Sequence, residues 1–306
     1  LTVGRQPLRW GSGYFWNPTD FVNQARKDPF ALFDERLGID GLKLHVPVES
    51  LGWNFYLLGL IGEAKAPKSV GVAGRAEFAF WQMEIALSAY WRHKEPLKLG
   101  ADLSLGLSYF DFRSEVSVSH GVRSPFFKGR LDLNDLTSFL AVTRYSRQDE
   151  WLPQVMGGVE ATIPYGDSDT LVLGVEYLYN HAGYASAELY PKLMMEGVYT
   201  PLYTGKHYGG FYLLAQAPGK WDDGTLIVSS LGNLSDKTFM ARAELRVTLL
   251  TYLSLNAYAG YHFGKNGELH YGLSVPPDSS GLSPFPKGLT IKPTAVDLGL
   301  GLQLKL

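Results

Sequence analysis

The chain has no cysteine and only 5 methionines in 306 residues. Without thiols there is no disulfide, no zinc–thiolate cluster and no cysteine nucleophile. That suits an exported protein, although Cys-poor cytosolic proteins share the trait. Long apolar runs are also missing. Apolar residues make up 45% of the chain, yet no stretch approaches the ~20 residues of a membrane-spanning helix. Charge of one sign is missing too. Lys and Arg number 28 against 30 Asp and Glu, a net charge of -2, so nothing suggests a nucleic-acid partner. Enzyme signatures fail in turn. The histidines (His45, His93, His120, His181, His207, His262, His270) are scattered without HExxH spacing. There is no GxSxG elbow, and Gly219-Lys220 lacks the earlier glycine of a phosphate loop. A site built from distant strands remains open, and its only nameable pair is His262 with Asp297. Asp132, Asp135, Asp222 and Asp223 offer oxygen ligands for Ca²⁺ but read better as solvated loop acids. No metal and no cofactor are expected, and the chain does not read as an enzyme. No signal peptide opens it. Leu1 starts on strand-like sequence, so residues 1–306 read as one domain of an N-terminally incomplete, processed or truncated protein.

What is present is glycine (34), tyrosine (18) and, above all, alternation. Val296, Leu298, Leu300, Leu302, Leu304 and Leu306 share one face of a strand, and Asp297, Gly299, Gly301, Gln303 and Lys305 share the other. Arg242, Glu244, Arg246 and Thr248 oppose Ala241, Ala243, Leu245, Val247 and Leu249 in the same way. Period-two patterning marks half-buried strands. It gives about fourteen of them: 1–10, 40–49, 53–62, 70–80, 83–94, 97–107, 112–122, 153–164, 171–181, 207–217, 225–233, 239–249, 253–263 and 295–306. The segment 138–147 also reads as a strand. Counting it would break the up-and-down parity, so it is assigned to a strand within the large loop 123–152.

The connections alternate in length. Short turns fall near 50–52, 81–82, 108–111, 166–169, 219–224 and 250–252, and long ones at 11–39, 123–152, 182–206 and 264–294. Strands of nine to twelve residues, short turns at one end and long loops at the other are the layout of a transmembrane β-barrel. The expected fold is therefore all-β, a transmembrane antiparallel up-and-down barrel. A soluble all-β protein is the alternative, because alternation alone does not say whether the apolar face meets a core or lipid. Tyr177, Tyr179, Tyr261 and Phe263 are placed to form interfacial aromatic girdles.

The first loop is dense in Gly, Trp, Arg and Pro. Gly11 and Gly13 allow backbone angles other residues resist. Pro18 keeps Asn17 out of the helical region. Thr19 or Asp20 is positioned to cap a short helix over 21–26. Gly4-Arg5-Gln6, then Arg9-Trp10-Gly11-Ser12-Gly13, then Trp16-Asn17-Pro18-Thr19-Asp20 resembles the "GRQ…WG…NPTD" segment of Gram-negative outer-membrane porins. That group spans alginate-export-like barrels and the barrel partners of multihaem cytochromes. The match covers about 20 residues, with weaker echoes at 176–180, 232–236 and 264–268. The terminal Leu306 departs from the Phe of many such barrels. Strands the family places before the motif are missing, which would raise the count to about sixteen in the complete protein.

The resemblance implies a bacterial outer-membrane location among lipid and lipopolysaccharide, and a channel for small polar or anionic solutes. With the apolar face on lipid, the lumen is lined by Lys43, His45, Glu49, Arg75, Glu77, Glu84, Arg92, Lys98, Asp102, Arg113, Glu115, Glu160, Glu176, Arg242, Glu244, Arg246 and Asp297. Their signs are mixed, unlike the one-signed ring of a selective pore, so pairing across a polar interior is the plainer reading. Arg5, Arg9, Trp10, Asn17, Asp20, Arg26, Asp34 and Arg36 are the expected constriction residues of the first loop. They either contact solute or tie the loop to the wall. The alternative function is a scaffold barrel that sheathes a partner protein, a multihaem cytochrome or a secretion component.

Overall fold

The computed structural model describes residues 1–23, 25–30, 36–62, 64, 66–132, 138–165, 169–219, 221–277 and 287–304. The chain is all-β, 58% strand and 4% helix. In chain order the strands are β1 (Thr2–Gln6), β2 (Ile39–Val48), β3 (Trp53–Leu60), β4 (Gly71–Phe80), β5 (Met83–Trp91), β6 (Leu97–Leu107), β7 (Phe110–His120), β8 (Phe126–Lys128) and β9 (Thr143–Tyr145). There follow β10 (Trp151–Tyr165), β11 (Asp169–Asn180), β12 (His207–Gln216), β13 (Gly224–Asn233), β14 (Thr238–Leu250), β15 (Leu253–Gly264), β16 (Leu273–Val275), β17 (Leu289–Ile291) and β18 (Val296–Leu304). Two short helices, α1 (Ser138–Ala141) and α2 (Tyr190–Met195), lie in the long connections.

Fourteen strands form one antiparallel sheet in the order β1-β2-β3-β4-β5-β6-β7-β10-β11-β12-β13-β14-β15-β18. Within the sheet each strand pairs with the next in chain order, and only the short strands β8, β9, β16 and β17 are skipped. The strand read over 138–147 is α1 followed by β9, which pairs with β8 inside the 123–152 connection and stays out of the large sheet. The long 264–294 connection carries the hairpin β16–β17. The tightest turns have two residues. Trp81 and Ser108 open them with φ of 54° and 58°, the positive values that two-residue hairpins need.

Near the first loop the structure departs from the sequence expectations. The first strand, expected over 1–10, ends at Gln6, because Pro7 has no N–H to donate to the ladder. The helix expected over 21–26 is absent among the described residues. Its candidate caps are engaged elsewhere: the Thr19 hydroxyl donates to Glu115, and Asp20 binds Asn23 and Arg36.

The chain divides into two compact units. The first comprises 1–123, 147–161 and 176–182, and the second 124–146, 162–175 and 183–306. In the first unit Trp10, Phe21 and Val22 of the first loop pack against Leu58, Leu60, Ala73 and Tyr90 of β3, β4 and β5. In the second, Phe127, Leu131, Leu189, Tyr190 and Leu193 join the connection around β8 to α2.

The two faces of the sheet differ. Its buried face mixes polar and charged residues, among them Arg75, Ser88, Asp102, Glu115, Ser117, Glu176, Ser229 and Glu244, with apolar ones such as Leu58, Tyr90, Leu178 and Tyr212. Its exposed face carries Val72, Leu87, Leu99, Val116, Val155, Val175, Val228 and Leu298. Along β7 the switch occurs between adjacent residues: Glu115 is 0% exposed and Val116 is 46% exposed.

Candidate functional site

The first loop lies on the polar face of the first unit, held by two carboxylates. Glu115 projects from β7. Its Oε1 accepts the backbone N–H groups of Ser12 (2.7 Å) and Gly13 (2.9 Å) and the Asn17 amide (3.1 Å). Its Oε2 accepts the Thr19 N–H (3.1 Å) and hydroxyl (2.7 Å). Glu176, from β11, accepts the N–H groups of Tyr14 and, at 2.7 Å, Phe15. A loop that leaves the β ladder must find other acceptors for its N–H groups. Two carboxyl side chains supply them here, as acceptors only.

The loop sequence fits this docking. Gly11 has φ of +92° and faces the Glu115 carboxylate, so a side chain would displace it. A Cβ at Gly13 would stand 2.0 Å from the Trp16 carbonyl oxygen. Phe15 and Trp16 are fully buried. Farther along, Asp20 pairs with Arg36 (2.7 Å), and the other Arg36 nitrogen donates to the Ala25 carbonyl (2.9 Å). Burial pushes the Asp20 carboxyl up from its ordinary range, against the opposing pull of Arg36 and Asn23.

Of the expected constriction residues, Trp10, Asn17, Asp20 and Arg36 are in this docked loop. Each is used to hold it. Trp10 is buried, with the Arg75 guanidinium 5.8 Å from its ring centroid. Arg9 and Arg26 are exposed. Arg5 is a correction. It sits in β1, outside the loop, on an exposed site where it grips Asp40 through two hydrogen bonds (2.9 and 2.8 Å). Asp34 lies outside the described residues.

Several of the expected lumen residues pair with one another. Arg75 binds Asp102 bidentately (2.7 and 2.8 Å) and Glu77 (2.7 Å). Arg92 faces Glu95 (3.5 Å), and Arg113 reaches across to Glu160 (3.0 Å). In the second unit Arg242 pairs with Glu244 (2.8 Å), and its guanidinium lies 3.8 Å from the Tyr258 ring centroid. Arg246 follows on the same face of β14, opposite Asn256. His45 is exposed, stacked on Tyr56 and bonded to Asn54. Glu49 and Glu84 are exposed, while Lys43 and Lys98 are half-buried. Asp297 does meet His262 (3.2 Å), but the other ring nitrogen of His262 faces the Leu269 carbonyl. Among the described residues neither ring nitrogen has a hydroxyl partner.

A second polar cluster, in the second unit, escaped the sequence reading. Glu268 accepts hydrogen bonds from the Leu202 N–H (2.6 Å), the Tyr208 hydroxyl (2.7 Å), the Asn233 amide (2.8 Å) and, weakly, the Tyr199 hydroxyl (3.4 Å). Its own N–H donates to Asp236 (2.8 Å), which also takes the Thr238 N–H and hydroxyl. Asn233, Asp236 and Glu268 all fall in the segments 232–236 and 264–268, so the signal was present without a role attached. A cavity of about 640 Å³ adjoins this cluster, lined by Arg130, Asp132, Glu188, Asp236, Lys237 and Lys265 among others. Its opposed charges name no ligand. No family model matches this chain, and no curated protein and no solved structure matches it.

Proposed function

We propose that the chain is a membrane-spanning β-barrel of the outer-membrane type. It serves as a channel for small polar or anionic solutes, constricted by its own first loop. The observation that carries this reading is the exposed apolar face of the sheet, with charged side chains among the residues buried on the other face. In water an exposed apolar face running along strand after strand is an aggregation liability, and charges buried beneath it are costly. In a bilayer the same face meets hydrocarbon, and the charged face lines a polar interior.

The short turns support it. Each carries an aromatic at or beside it: Trp53, Trp81, Tyr109 with Phe110, Tyr165, Trp221 and Tyr252. Trp81 is 87% exposed at a positive φ, a position that a bulky residue rarely takes. At a membrane–water boundary this exposure is favourable. Tyr261 and Phe263, near the long-loop end, are exposed as well. Because lipid tolerates no open strand edge, β1 and β18 are covered in the membrane, by one another or by further strands. The first-loop motif supports membership of the Gram-negative porin group, with the long loops on the lipopolysaccharide side.

The scaffold reading shares the barrel but needs its interior for a partner protein. The docked loop fills part of the inner face with Phe15, Trp16 and their anchors, which favours a constricted channel. The test is single-channel recording in a planar bilayer. Steady, small conductance supports the channel. Insertion without conductance, together with a partner that co-purifies, supports the scaffold. A protein that stays monodisperse without detergent overturns both.

A further inference from the structure

We infer that Glu268 is a pH-sensitive latch fastening two long connections, 182–206 and 265–277, to the strand ends beneath them, and that it releases as the medium turns alkaline. The inference does not depend on the channel reading, because it concerns only hydrogen bonds within the second unit.

One carboxyl group joins four segments. Leu202 and Tyr199 come from the connection after α2, Tyr208 from the start of β12, and Asn233 from the end of β13. Glu268 itself brings the connection after β15, and its N–H ties back to Asp236 in the β13–β14 turn. The joint is reinforced from behind. The Tyr208 hydroxyl also accepts the Gly205 N–H (2.6 Å), and Asn233 reaches the Tyr190 hydroxyl (3.1 Å) on α2. Among the described residues the titratable groups that act on Glu268 are Tyr190, Tyr199, Tyr208 and Asp236, with Lys237 and Lys265 beyond them on the cavity wall. The nearest are three phenols and a second acid, none of them a cation.

Burial, opposed by the donors from Tyr208, Leu202 and Asn233 and reinforced by Asp236, pushes the Glu268 carboxyl up to about 7. When the connections lift, the group returns to water and to its ordinary value of 4.5. The docked form thus binds a proton that the open form releases. Its stabilisation is complete below the ordinary value and is lost as pH rises through about 7. From pH 6 to pH 8 the docking equilibrium falls by about tenfold. Opening also removes Gly267 and Asp236 from contact, and both belong to the wall of the 640 Å³ cavity, so the cavity changes shape with pH.

The test is hydrogen exchange read by mass spectrometry on the full chain in detergent micelles, corrected for intrinsic exchange rates. Between pH 6 and pH 8, peptides covering 196–206 and 265–272 should lose about tenfold more protection than peptides from the middle of β13. Glu268→Gln keeps the shape without the titration and should abolish that difference. Tyr208→Phe removes a donor that favours the carboxylate, so the midpoint of the wild-type transition should move to higher pH. Equal pH profiles for wild type and Glu268→Gln, protection that rises with pH, or an unmoved midpoint in Tyr208→Phe would each overturn the inference.

Discussion

Replacing Glu115 by Ala should free the first loop while leaving β7 in place. The change removes the acceptor of five hydrogen bonds, from the N–H groups of Ser12, Gly13 and Thr19, the Thr19 hydroxyl and the Asn17 amide. Three of these donors are backbone groups that cannot turn away without moving the loop. Each buried donor left without an acceptor costs roughly 1–3 kcal/mol. Part of that is recovered where water enters the space left by the side chain. A net loss of about 4 kcal/mol lowers the docking equilibrium constant roughly a thousandfold. Glu176 still holds Tyr14 and Phe15, so the loop stays tethered at one point but no longer fixed. Single-channel recording should show a larger and noisier conductance than wild type, and limited proteolysis should cut within 11–19. Glu115→Gln, which keeps one carbonyl acceptor, should lie between the two. Wild-type conductance with an uncut loop in Glu115→Ala would refute the idea that this carboxylate holds the constriction.

Three other substitutions probe separate parts of the account. Gly13→Ala drives a Cβ against the Trp16 carbonyl oxygen, costing about 1–3 kcal/mol, and should raise conductance in the same sense as Glu115→Ala. Arg75→Met leaves Asp102 and Glu77 without their shared cation. It should destabilise the protein by about 3–5 kcal/mol, visible as a lower thermal midpoint by circular dichroism in micelles. Val116→Arg puts a charge on the exposed face of β7 and should cost about 2–4 kcal/mol of insertion into vesicles, as expected for a midplane cation.

The strand count, the pairing order and the separation of polar and apolar faces were legible in the sequence because all three rest on one local signal. Alternation repeats every two residues, and β5, β6, β7, β14 and β18 carry it with few interruptions. The ends of strands were legible where a short turn follows, as at 81–82 between β4 and β5. The end of β1 was not: the strand was read over 1–10, although Pro7 is a local cue that stops it at Gln6. The site was legible only in parts. Glu115 and Glu176 could be placed on the inner face by parity. That they accept the N–H groups of a loop about 100 and 160 residues away is a long-range fact that no local pattern encodes. The Glu268 cluster has the same character. Its donors come from Tyr199, Leu202, Tyr208 and Asn233, none of them near it in sequence. Arg5 was misplaced because it shares a motif with the loop, while its partner Asp40 stands in the next strand.

The absence of native cysteine makes the most direct test of the central claim available: a cysteine scan along β5, in protein reconstituted into lipid vesicles. The account predicts a period of two. Ile85→Cys, Leu87→Cys and Ala89→Cys should react with a lipid-confined thiol reagent and resist a water-soluble one. Ala86→Cys and Ser88→Cys should be silent to the lipid-confined reagent. Uniform reaction of all five with the water-soluble reagent, or alternation of the opposite phase, would contradict the assignment of the apolar face to lipid and the channel reading built on it.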